Sequence, residues 1–227
     1  FGSGYNSLFH EAGKKNLDHD QLESDILFVR RFESNLVANG VHVIKLWFHL
    51  SRDAQHLRFK TLLANPSTAW QVDKLDLKAH KKFKSIRRAG QLIIESTDTA
   101  HAPWIIIPSA DPKVRAIRTA QAILKALKAP ACKVPAFHDP GTLPPLKKQP
   151  NPVSRIDHPA TMTKAEYEAE ILQWQNRLAE SVRSKSFKSK ALAIVFEGMD
   201  AAGKGGAIRR VTRAIDARQF NIMPVSA

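Results

Sequence analysis

Apolar positions between Asp18 and Asn39 recur at Leu22, Ile26, Val29 and Leu36, the spacing of one helix face, and Gly40 stands where such a helix stops. The next ten residues, VHVIKLWFHL (Val41 to Leu50), form a nearly continuous β-branched and aromatic run, the pattern of a strand covered on both faces in a parallel sheet. Ser51 is placed to cap a helix that Pro66 ends, and a further helical stretch is predicted over 73–95. A short strand follows at Trp104 to Ile107. Asp111 and Pro112 then occupy the N-cap and first-turn positions of a helix reaching Leu127. Helix, strand, helix, helix, strand, helix is the order of an α/β layout with a parallel sheet.

The pattern then breaks. Residues 129–160 hold eight of the thirteen prolines, each lacking an N–H and restricting its predecessor, so this stretch reads as an extended, semi-rigid linker. After it, Thr163 and Glu166 have the spacing of a capping box, opening a helix to about Ser184. ALAIVF (Ala191 to Phe196) is another buried strand. Beyond it, Ile208, Val211, Thr212 and Ile215 mark a helix face, and NIMPV (Asn221 to Val225) is predicted to begin one more strand.

Composition narrows the classes. No run of 18 or more apolar residues exists, and FGSGYNSLFH at the start lacks the charged and apolar regions of a secretory signal, so a cytoplasmic protein is expected. The single cysteine, Cys132, has no partner for an internal disulfide and lies in no metal-ligand spacing. A formal net charge of +14 implies polyanionic company, a phosphate-rich substrate, nucleic acid or an anionic membrane. The excess is local: residues 51–128 hold 15 Lys/Arg against 6 Asp/Glu, densest in KAHKKFKSIRR (Lys78 to Arg88). That segment reads either as a solvated helix face or as a polyanion-binding surface built on Lys81, Lys82, Lys84, Arg87 and Arg88. Trp47, Trp70, Trp104 and Trp174 read as packing residues, since no RNA-binding signature surrounds them. The histidines show no metal-ligand cluster, and no nucleophile elbow supports a hydrolase triad.

The chemistry concentrates in FEGMDAAGKGGAIRR, Phe196 to Arg210. Gly198-x-x-x-x-Gly203-Lys204 lies between a strand and a helix, the context of a phosphate loop. Backbone N–H groups of Gly198, Ala201, Ala202, Gly203, Lys204 and Gly205 can face phosphate oxygens, helped by the positive end of the helix, and Lys204 adds a point charge. The Ser or Thr that ordinarily ligates magnesium is replaced by Gly205. Asp200, inside the loop, can take over that duty, a carboxylate beside polyphosphate needing a divalent cation between them; the alternative is an Asp that bonds loop N–H groups. Arg209, Arg210 and Arg213 are arginines that can either bind phosphate or face solvent.

These residues resemble the second polyphosphate kinase family, whose variant loop has glycine after the lysine and an aspartate inside. LVANGVHVIKLWFHLSRDAQHLRFKTLLANP, Trp70 and STDTAHAPWIIIPSADP are similar to the later half of a family domain. The halves are out of order for one domain. Two-domain members, the polyphosphate:AMP phosphotransferases, would account for this. On that resemblance the fold is a P-loop kinase-like α/β sheet flanked by helices, in two incomplete copies. Residues 1–128 are the later half of a first, degenerate domain, and 161–227 the start of a second. FGSGYNS falls where the family has DRSWYxR, with Phe1 for its Asp, Gly2 and Ser7 for its Arg positions, and Ser3 and Tyr5 retained. The resemblance implies phosphoryl transfer from inorganic polyphosphate to a nucleotide, AMP to ADP, with Mg2+. Asp200, Lys204 and Arg209 would be catalytic and Asp200 the metal ligand. A homo-oligomer is expected, with neither nucleic acid nor membrane as partner, and 1–227 alone is expected to be inactive. Two other readings stand beside it: a non-catalytic polyphosphate-binding or oligomerisation module, and an ATP- or GTP-dependent enzyme or nucleic-acid-binding P-loop protein.

Overall fold

The computed structural model describes residues 5–13, 18–66, 68–69, 72, 74–128, 161–188 and 190–223. The linker with Cys132, together with Phe1 to Ser3 and Trp70, lies outside the described residues. The first segment contains α1 (Tyr5–Ala12), α2 (His19–Ala38), β1 (Val41–His49), α3 (Arg52–Ala64), α4 (Lys74–Lys81), α5 (Phe83–Thr97), β2 (Trp104–Pro108) and α6 (Pro112–Lys128). The second contains α7 (Lys164–Arg183), β3 (Ala191–Gly198) and α8 (Lys204–Thr212). This is the α/β class expected, a parallel sheet flanked by helices.

The strands share one sheet in the order β2-β1-β3. β1 is central, pairing in parallel with β2 from Lys45↔Trp104 to His49↔Pro108 and with β3 from Val41↔Ala191 to Phe48↔Gly198. A strand from beyond the proline-rich stretch therefore continues the sheet of the first segment. Its end, Gly198, lies beside Phe48 near the C-terminal end of β1, where helices and loops meet in such sheets.

Central position explains burial. Every residue of β1 from Val43 to His49 is buried, Lys45 among them. The core joins Leu46, Phe48, Ile93, Ile107 and Ile123 of the first segment to Leu178, Met199, Ala202, Ala207 and Val211 of the second. α6 packs on α7 and α8, and Lys113 Nζ donates to Met162 O at 2.9 Å.

Local signals hold where the chemistry is local. Ser51 caps α3 through the Ala54 N–H, Asp111 receives the N–H groups of Lys113 and Val114, and Thr163 and Glu166 form the reciprocal capping box. Three expectations are corrected. The helix read over 73–95 is two helices broken at Lys82, which lets Phe83 enter the core while His80 on α4 turns toward α3. The buried stripe of α2 ends on Val37 rather than Leu36, which is half-buried, and it carries Glu33 and Ser34. Asn221 to Met223 form no strand, the rest of NIMPV lying outside the described residues. Among the described residues no helix is long and apolar enough to cross a membrane.

Candidate phosphate-binding site

The loop begins where β3 ends and closes into α8. Two tight spots fix its path. Gly198 lies so close to β1 that a Cβ there would stand 2.4 Å from Phe48 O, and Gly203 has φ +83° with a Cβ position 2.1 Å from Arg115 Cζ. Only glycine meets both demands without displacement. Ala201 adopts φ 60° without that freedom, a strained backbone of the kind found in ligand-clamping loops.

The N–H groups of the loop divide in two. Met199 N–H is engaged by Phe48 O at 3.2 Å, and Ala202 N–H by Met199 O at 3.1 Å. Among the described residues, the N–H groups of Ala201, Gly203, Lys204, Gly205 and Gly206 have no main-chain partner. Those of Gly203 to Gly206 are the free donors at the start of α8, at the positive end of its dipole, and Ala201 precedes them in the loop.

Lys204 is half-buried, with Nζ 2.7 Å from Gly198 O and 3.2 Å from Met199 O. Burial pushes its pKa below the ordinary lysine value, and the carboxylates of Asp200, Glu197 and Asp76 work against that shift. Asp200 is exposed, and Gln55 Nε2 donates to its backbone carbonyl at 2.9 Å. Gly205 is exposed, with open space where a side chain would begin.

The three arginines separate. Arg209 is exposed and its Nε donates to Gly205 O of its own helix at 3.3 Å. Arg210 is half-buried and braces α8 on α7, its Nε donating to the Tyr167 hydroxyl at 2.7 Å. Arg213 is exposed.

Four residues that the sequence did not single out surround the loop from the first segment. Arg115, on α6, is buried and its Nη1 donates to Ala202 O and Ser109 O, both at 3.1 Å. Burial and the nearby Arg58 and Arg210 guanidinium groups push its pKa down to about 10, so it stays charged at neutral pH. Arg58, half-buried on α3, is likewise pushed down by burial. Gln55 is 1 % exposed and His80 Nδ1 lies 2.6 Å from its Oε1. The available signal was Gln55, Arg58 and Phe59 at helical spacing just after β1, on the side of the sheet where the loop arrives.

The arrangement offers free N–H donors, a lysine and an exposed carboxylate within seven residues, above a buried guanidinium that no carboxylate contacts among the described residues. Such an arrangement can receive an oxyanion at a helix N-terminus. No group of three or more His, Cys, Asp or Glu side chains that could cage a metal occurs among the described residues.

Comparison with known proteins gives the family. The family described as polyphosphate kinase 2 matches residues 3–135 and 161–227. The chain is 34% identical over 230 residues to a polyphosphate:AMP phosphotransferase of Pseudomonas syringae pv. tomato, covering 100% of the chain and 46% of that protein. It is 31% identical over 232 residues to a polyphosphate:AMP phosphotransferase of Acinetobacter johnsonii, with 100% and 45% covered. A crystal structure described as a polyphosphate kinase 2 of Pseudomonas aeruginosa aligns with 100% of the chain and 42% of its own length at 30% identity, with a TM-score of 0.42. The chain spans about half the length of the curated relatives it matches. On the match of both segments, the chain belongs to the polyphosphate kinase 2 family.

Proposed function

We propose that this chain carries the phosphate loop of a phosphotransferase that moves a phosphoryl group between inorganic polyphosphate and a nucleotide, converting AMP to ADP. The observation that carries the reading is the loop between β3 and α8, with its free N–H groups and Lys204. Family membership and the names of the relatives support the substrate pair.

Lys204 would exchange two neutral carbonyl partners for phosphate oxygens, a stronger charge-assisted contact. The N–H groups of Gly203 to Gly206 would hold the same phosphate, so catalysis rests on alignment and charge neutralisation. Arg209 would join by leaving the carbonyl of Gly205. Asp200 fits a magnesium ion, because an exposed carboxylate beside phosphate is the partial, oxygen-only donor set that Mg2+ accepts. Bound there, Mg2+ would supply charge neutralisation of the phosphate oxygens. The assembly is read as a cytoplasmic homo-oligomer without nucleic-acid or membrane partners.

In this reading residues 1–128 supply the closing half of one family unit and 161–227 the opening of another. The parallel pairing of β1 with β3 supports their fitting together. Phe1, Gly2 and Ser7 stand where the family's acidic and guanidinium groups would be, so residues 1–227 alone would bind polyphosphate with negligible turnover. The test is ADP formation from AMP, polyphosphate and Mg2+ by protein of the relatives' full length. Lys204→Ala should abolish it, and unchanged turnover in that variant overturns the proposal.

A second reading has its own observation. Lys78, Lys81, Lys82, Lys84 and Arg88 are all exposed along α4 and α5, a surface able to hold a polyanion without chemistry. It predicts polyphosphate binding that survives Lys204→Ala and is lost when Lys81, Lys82, Arg87 and Arg88 are neutralised.

A further inference from the structure

The loop is held chiefly by a different segment of the chain, and the grips fall on particular carbonyls. Arg115 Nη1 binds Ala202 O, and Gln55 Nε2 binds Asp200 O. Both donors are buried, at 3 % and 1 % exposure, and both are anchored at a second point. The same Arg115 nitrogen holds Ser109 O, and Gln55 Oε1 faces His80 Nδ1 at 2.6 Å. His80 is in turn fixed between the His56 ring, stacked at 5.8 Å, and the Phe59 ring at 5.7 Å.

A trans peptide is planar, with the carbonyl of one residue and the N–H of the next pointing in opposite directions. Fixing Ala202 O toward Arg115 therefore fixes the Gly203 N–H away from it. Fixing Asp200 O toward Gln55 likewise sets the direction of the Ala201 N–H. These two N–H groups are among those without a main-chain partner. Ala201, whose φ of 60° is strained, directly follows the Asp200 carbonyl that Gln55 grips, and Gly203, at φ +83°, follows the Ala202 carbonyl that Arg115 grips.

We propose that Arg115 and Gln55 are positioning residues of the loop, turning the Gly203 and Ala201 N–H groups to the face that receives a phosphate oxyanion. This rests on the phosphate-holding role of the loop given above. Arg115 has a further effect: its buried charge lies against Gly203, with its Cζ 2.1 Å from where a Cβ would be, which adds positive potential beneath the same donors. The two grips are separable, one per peptide unit.

The experiment uses residues 1–227 and two readouts, amide 15N shifts without anion, then calorimetric titration with inorganic tripolyphosphate. Arg115→Met should move the amide 15N shift of Gly203, an N–H without a main-chain partner and so with little exchange protection to lose. Gln55→Leu should do the same at Ala201, each with the other amide much less affected. Tripolyphosphate affinity should fall about tenfold in either variant, the order of one hydrogen bond to a charged group. Arg115→Lys, which keeps the charge and a single donor nitrogen, should recover part of the loss. General destabilisation would move core amides of β1 together with both loop amides, and that pattern overturns the proposal. So do unchanged Gly203 and Ala201 amides in both variants. Should Arg115→Met fail to fold, Gln55→Leu and Arg115→Lys carry the same decision. If tripolyphosphate binds wild type and Lys204→Ala equally, the phosphate-loop reading falls, while the amide readout still decides whether Arg115 and Gln55 orient the loop.

Discussion

Lys45 and Lys204 are both lysines drawn into the protein next to the sheet, and their surroundings assign them opposite tasks. Lys45 is 0 % exposed at the centre of β1, with Nζ 2.9 Å from Glu33 Oε2 and 2.5 Å from Thr97 O, and it lies over the rings of Trp104 and Tyr5. Glu33 also accepts the Tyr5 hydroxyl, and Trp104 Nε1 donates to Thr97 Oγ1 at 2.8 Å. Burial lowers the pKa of Lys45 and raises that of Glu33, and their mutual attraction opposes both shifts. Lys204 is half-buried, bonds only main-chain carbonyls and makes no ion pair among the described residues. A closed network fixes structure, whereas a lysine held by weak neutral acceptors is ready to take an anion.

The largest effect should come from breaking the closed network. Lys45→Met leaves Glu33 buried without its cation and should destabilise the fold by about 3–5 kcal/mol in denaturant melts. Adding Glu33→Gln should recover much of that loss, since the neutral amide oxygen can still accept from Tyr5. A single variant as stable as wild type would erase the contrast between the two lysines.

Lys204→Met should do the reverse. Its folded pKa is lowered, so charging costs the folded state, and neutralising it should leave stability equal to or above wild type. Tripolyphosphate affinity should fall by roughly 10- to 100-fold, the range for a hydrogen bond from a charged donor. Calorimetry and thermal melts on one preparation check both halves.

Two glycines sharpen the loop's side of the comparison. Gly203→Ala meets a positive φ and Arg115 at once and should cost about 1–3 kcal/mol, with loss of anion affinity. Gly205→Ser enters open space and should shift stability by less than about 0.5 kcal/mol. Equal penalties would mean that Arg115 does not shape the loop.

The smallest effect concerns the edge of the second segment. Hydrogen bonds from the Thr163 side chain and backbone hold the Glu166 carboxyl below its ordinary value of 4.5. A depressed carboxylate stabilises above the unfolded pKa and loses that contribution as pH falls through the folded one. The first turn of α7 should therefore fray below about pH 4 while the sheet persists, as read by amide exchange at Glu166 and Tyr167.

What the sequence disclosed follows how far apart the interacting residues are. The strand, loop and helix from Ala191 to Thr212 were legible because Gly198, Gly203 and Lys204 act within a few positions of each other. So were the caps at Ser51, Asp111 and Thr163. Glu33 was missed because a carboxylate on an apolar helix stripe acquires meaning only when β1 brings Lys45 beside it. Arg115 and Gln55 reach partners 87 and 145 positions away, a relation created by β3 joining the sheet. The break at Lys82 has no proline or glycine to announce it, since it arises from Phe83 and His80 being claimed by different neighbours.

The central claim is that the loop after β3, rather than the basic helices, is where this chain receives polyphosphate. A 15N titration of residues 1–227 with inorganic tripolyphosphate tests it most directly. Saturable shifts at Ala201 and Gly203 to Gly206, needing roughly 10- to 100-fold more tripolyphosphate in Lys204→Ala, are the predicted result. Shifts confined to Lys78 through Arg88 and indifferent to that substitution would contradict it.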